Sequence, residues 1–160
     1  MANPAPRRPT DPEALYRVVA ARRLQYENLL WQVPALSLTA QAFLFSIALG
    51  QGVDTWARIF SAVLALNLSV ISIMLMASHR QAEIRDVQWL DRFEQDELGA
   101  GDWGPHGAAF RKPYETKLDA GWFGNLIHLR LMFYVWIVGL GIFGVVAISM
   151  IVRTILTTVL

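Results

Sequence analysis

The sequence predicts an all-α integral membrane protein: three transmembrane helices, an N-terminal amphipathic helix and a cytoplasmic helical extension of the second span. Three observations predict it. The apolar residues gather into three long blocks, at 33–50, 56–77 and 131–152. Hydrophobic residues make up 54% of the 160 and charged residues 17%, against roughly 25% charged in ordinary soluble domains. The mean hydropathy is positive, +0.36. A bilayer core needs about 20 predominantly apolar residues per helix, with about 17 as the lower limit. The second and third blocks exceed that, and the first reaches it when Leu29, Leu30 and Trp31 join it at the interface.

Residues 1–12 read as a disordered tail, with four prolines and almost nothing to bury. Thr10 or Asp11 can cap a helix beginning at Pro12, a favoured first-turn proline, and Glu13 suits its positive end. Over residues 13–32 the apolar positions Leu15, Val18, Val19, Tyr26, Leu29 and Leu30 continue to Val33 at helical spacing, with Arg22 interrupting the stripe. Pro34 marks an expected kink or restart before the first span. A cleaved signal peptide fits poorly here, because some thirty mixed residues precede the apolar run.

Residues 33–77 form a predicted transmembrane hairpin, since only Gln51 to Thr55 separate the two apolar blocks. No glycine or proline falls between Ser78 and Leu98, so one helix is expected from about Ala57 to Leu98. On its second half, 78–98, Ile84, Val87, Leu90 and Phe93 offer an apolar side to the N-terminal helix or to a neighbouring subunit. Residues 99–130 are a glycine-rich connector carrying Trp103, Phe110, Tyr114, Trp122 and Phe123, aromatics suited to a surface. The third span, 131–152, is uncharged, and 153–160 is a short external tail.

Orientation follows from the 14 basic residues, all of which except Arg58 and Arg153 lie before the first span or between the second and third. Those segments are on one side, and the positive-inside rule makes it cytoplasmic, with the C-terminus outside. The plasma membrane is the expected location. Trp31, Trp56 and Trp122 fall near span ends, where amphipathic rings favour headgroups.

Few residues suggest chemistry. Gly139, Gly141 and Gly144 stand in G-x-G-x-x-G order, but inside an apolar span they indicate helix packing rather than a dinucleotide. Gln41 and Asn67 sit near mid-span, where an unsatisfied carboxamide is costly. At similar depth in a hairpin they can bond to each other, or line a conduit or an oligomer interface with Ser37, Thr39, Ser46, Ser69 and Ser72. No acid or base occupies a span centre, which argues against proton-coupled transport. His79, Glu83 and Asp86 share one helical face and, with His128, are weak metal candidates beside the simpler reading of a charged interfacial belt.

There are no cysteines, and no G-x-S-x-G, H-E-x-x-H or Walker sequence occurs. No catalytic residue, cofactor or metal is therefore expected. A net charge of +1 gives no electrostatic basis for nucleic-acid binding. The expected partners are the lipid bilayer, further copies of the chain and a cytoplasmic protein. Together these point to a small non-enzymatic membrane anchor or scaffold that self-associates. A homo-oligomeric channel or pore-forming effector is the alternative.

Overall fold

The computed structural model describes residues 11–101, 104–106 and 129–159. Residues 1–10, most of the aromatic connector and His128 lie outside the described residues. Among the described residues all regular structure is helical: α1 is Pro12–Ala48, α2 Thr55–Asp96 and α3 Leu129–Val159. All three are long and apolar enough to cross a membrane.

Local chemistry sets the helix ends. Asp11 caps α1, its Oδ1 accepting from the backbone N–H groups of Glu13 at 3.0 Å and Ala14 at 3.1 Å. Asp54 caps α2 in the same way, accepting from Trp56 N at 2.9 Å. Between them Gly52 takes φ 72°, a left-handed conformation that costs glycine little. Arg58 Nη2 donates to Gly50 O at 3.2 Å, tying the second helix to the turn.

Two lengths differ from expectation. α1 runs through Pro34 without a restart. The proline removes one backbone donor, towards the Leu30 carbonyl, and its buried ring is held by packing. α3 extends through the residues expected to form an external tail. No breaker lies there, and the Thr157 and Thr158 hydroxyls fold back on the Thr154 carbonyl at 3.0 and 2.8 Å.

The chain divides into two compact units, Met1–Glu27 with Gln81–Lys117, and Asn28–Arg80 with Leu118–Leu160. In the first unit, Val19 of α1 and Val87 and Leu90 of α2 are buried. The Tyr16 ring lies 5.4 Å from Phe93, which stacks on Trp89 at 5.3 Å. Of the apolar stripe expected on α1, Val19 is buried while Leu15 and Val18 are exposed. Tyr16 and Arg22, three residues to either side of Val19, make contacts with α2.

The second unit has the opposite polarity. Ser37, Gln41, Ser61, Ser69, Ser72 and Thr154 are buried, while Leu36, Phe43, Phe60, Met74, Val138 and Val145 are each at least 60% exposed. In water this would be an inverted protein; in hydrocarbon it is the stable arrangement, because large apolar side chains lose nothing facing lipid and polar ones must be satisfied internally.

Candidate functional site

Each unit holds one polar cluster. In the second unit it is a seam built from small side chains. On α2, Ala62, Ala65, Ser69, Ser72 and Met76 are buried at alternating spacings of three and four, the period of a left-handed helix seam. Facing them on α1 are Ser37 and Gln41. Gln41 Nε2 donates to Ser69 Oγ at 2.7 Å, Ser69 Oγ donates to the Ala65 carbonyl at 3.1 Å, and Ser72 Oγ donates to Ser37 Oγ at 3.0 Å. The small residues allow the backbones to approach, and the hydroxyls are satisfied within the seam. Gln41 is fully buried, and its Oε1 has no hydrogen-bond partner among the described residues.

Asn67 is not part of this seam. It is exposed, and its Nδ2 donates back to the Val63 carbonyl at 3.0 Å. Gln41 and Asn67 therefore neither bond to each other nor line a common face. Residues 67 and 69 lie about 200° apart around a helix with 3.6 residues per turn, so only Ser69 meets α1.

The three glycines of the last span also separate. A Cβ at Gly144 would lie 3.6 Å from Ser69 Cβ and 3.7 Å from Leu66 Cδ1, in ordinary contact. At Gly139 or Gly141 it would meet nothing within 4 Å. The packed face of α3 is Leu140, Gly144, Ala147 and Thr154, of which the glycine motif marks one position. Phe143 approaches Phe45, with ring centroids 5.8 Å apart.

The cluster in the first unit centres on Glu94, which is 1% exposed. Its Oε1 accepts from the Tyr16 hydroxyl at 2.7 Å and contacts His106 Nδ1 at 2.5 Å, and its Oε2 accepts from His106 N at 3.2 Å. Gly104 passes so close that a Cβ there would meet Oε2 at 2.5 Å. Burial pushes the Tyr16 hydroxyl up to about 12, with Glu94 adding to the rise. Burial also raises the Glu94 carboxyl, but the hydrogen bonds from His106 and Tyr16 outweigh it and hold the group below its ordinary range.

A second bridge joins the same helices. Arg22 Nε and Nη2 donate to the two oxygens of buried Asp86 at 2.8 and 2.6 Å, and this bond raises the arginine above its ordinary value. Asp86 is thus engaged by a guanidinium, and His79 and Glu83 also have interaction partners. Among the described residues no group of three or more metal-ligating side chains assembles.

The Glu94 cluster escaped the sequence because Tyr16 and Glu94 are 78 residues apart and no linear pattern joins them. A glutamate on the buried side of α2, at i+4 from Leu90, was the one available sign.

No family model matches the chain, and neither a curated protein nor a solved structure resembles it. What stands is a chain of three apolar helices compatible with a membrane protein.

Proposed function

We propose that this chain is a non-enzymatic, homo-oligomeric membrane anchor or scaffold that offers a helical surface on the cytoplasmic side of the plasma membrane. The observation that carries the reading is the polarity of the second unit. Its apolar stretches are only 17–33% buried, and its interior is taken up by a packed seam in which the serine hydroxyls bond to one another, to Gln41 and to the backbone. Exposed Trp31 and Trp56 at the ends of the apolar blocks suit headgroup anchoring.

The first unit supports the scaffold half of the reading. α1 and α2 are cross-linked there by Arg22–Asp86 and Tyr16–Glu94, which gives a platform of fixed geometry with Arg17, Arg85, Arg92 and Glu97 on its surface. The positive-inside distribution of basic residues puts the N-terminus and residues 78–130 in the cytoplasm and the C-terminus outside.

The test is the mass of the full chain in lipid nanodiscs by native mass spectrometry. A defined oligomer is expected. A monomer that persists as the protein-to-lipid ratio rises would overturn the reading.

A further inference from the structure

The outward face of α2 carries a second seam. Phe60, Leu64, Asn67, Ile71 and Met74 recur at spacings of four, three, four and three, the same period as the buried stripe on the opposite side. All five are exposed, with Phe60 at 62%, Leu64 at 56%, Ile71 at 59% and Met74 at 68%. Ile71, Met74, Leu75 and Ser78 line a shallow apolar depression on this face. Their spacing of i, i+3, i+4 and i+7 is that of the four residues that form a hole for a knob from a facing helix.

Lipid could cover such a face were it wholly apolar, but Asn67 lies at its centre. The carboxamide makes one hydrogen bond among the described residues, to the Val63 carbonyl. Its second N–H and its carbonyl oxygen then face hydrocarbon, which supplies neither donor nor acceptor. A covering surface must provide both at that depth. The amide is itself such a surface, since it has one donor and one acceptor to exchange. Copies inserted with the same topology hold Asn67 at the same depth, and a two-fold axis along the membrane normal brings like residues together.

We infer that α2 is the self-association helix: two chains pack in parallel along Phe60, Leu64, Asn67, Ile71 and Met74, and the two Asn67 amides bond reciprocally. The inference rests on the proposed membrane oligomer and names its interface.

The absence of native cysteines makes the test direct. In full chain reconstituted in lipid vesicles, Leu64→Cys and Ile71→Cys are oxidised with copper phenanthroline. Leu36→Cys on α1 and Val145→Cys on α3, both outward-facing, serve as controls. Disulfide-linked dimer is expected at 64 and 71 and not at the controls. Asn67→Leu, an apolar substitution at an outward position, should weaken association about tenfold, the order of the two reciprocal interhelical hydrogen bonds it removes. Asn67→Gln should restore most of it. Oligomer that persists with cross-links confined to α1 or α3 would overturn the interface and leave the oligomeric scaffold standing. Unchanged affinity in Asn67→Leu would overturn the amide's part. A wild-type monomer would remove both readings.

Discussion

The buried stripe of α2 closes two units with different chemistry. In the unit that holds the apolar blocks it consists of Ala62, Ala65, Ser69, Ser72 and Met76; in the other it consists of Glu83, Asp86, Val87, Leu90 and Glu94. Spacings of three and four recur in both, and in the proposed membrane arrangement the medium outside differs. In water the hydrophobic effect drives Val87 and Leu90 inward, and the buried acids are tolerated because arginine, tyrosine and histidine meet them. In a bilayer no such drive separates inside from outside, so close approach and internal hydrogen bonds decide which face is buried. One helix thus reads hydrophobic-in over one half and small-and-polar-in over the other.

The sharpest way to break that contrast is at Glu94. Glu94→Ala removes the acceptor for both the Tyr16 hydroxyl and His106. Hydrogen bonds to a charged group are worth about 1.5–3 kcal/mol each, so local stability should fall by about 3 kcal/mol. Hydrogen exchange over residues 84–100 should then quicken by about a hundredfold, while exchange over 60–76 stays unchanged. An equal rise in both stretches would mean that the units do not respond separately.

The same cluster should respond to pH at both extremes. Glu94 is held below its unfolded value of about 4.3. Its contribution is complete above that value and is lost as pH falls through the folded one. Tyr16 is displaced the other way, from about 10 up to about 12, so its contribution is complete below pH 10 and is lost as pH rises through 12. Exchange protection in the first unit should fall off beyond each of these limits. Glu94→Gln should flatten the acid limb, and an acid limb unchanged in that variant would assign it to another carboxylate.

A smaller effect is expected at the Arg22–Asp86 bridge. Asp86 is buried, but the Arg22 side chain is 52% exposed, and solvent screening reduces the value of the pair. Asp86→Asn should cost about 1 kcal/mol in the same exchange measurement. Combining it with Arg22→Gln should add little, since either change alone breaks the bond. Full additivity would show that the two residues act independently.

How much of this was legible in the sequence follows the same division. The three apolar helices, the Asp11 cap and the unbroken run of α2 all rest on local signals, and the sequence carries them in full. Inside the apolar blocks the choice of face was not legible. Asn67 and Gln41 look alike as mid-span carboxamides, yet one is exposed and the other fully buried. Apolar periodicity is silent there because nearly every position is apolar. The period of small residues does carry the signal: Ala62, Ala65, Ser69 and Ser72 mark the seam, and Asn67 is off it. In the first unit the missing signal is of another kind. Arg22 interrupts the apolar stripe and stays half exposed, as charge predicts, but the buried Asp86 that it bonds on the facing helix has no mark in the linear pattern.

The finest test lies in the seam, where two substitutions remove one hydrogen bond with unequal expected results. Gln41→Leu deletes the donor to Ser69 Oγ, but it also deletes Oε1, a buried acceptor with no partner among the described residues. Ser69 keeps its own bond to the Ala65 carbonyl. Interhelical bonds in membranes average about 0.6 kcal/mol, and an orphaned buried acceptor costs about 1–3 kcal/mol. Gln41→Leu should therefore change stability by less than about 1 kcal/mol. Ser69→Ala breaks the same bond from the other side and strands the whole carboxamide, so it should cost about 1–2 kcal/mol. Steric-trap unfolding in bicelles can rank the pair. If Gln41→Leu proved the more damaging, Oε1 would have to be satisfied in the membrane by water or a ligand within the seam. The interior of this unit would then be a wet site rather than a closed packing surface, and the conduit reading of Gln41 would return without Asn67.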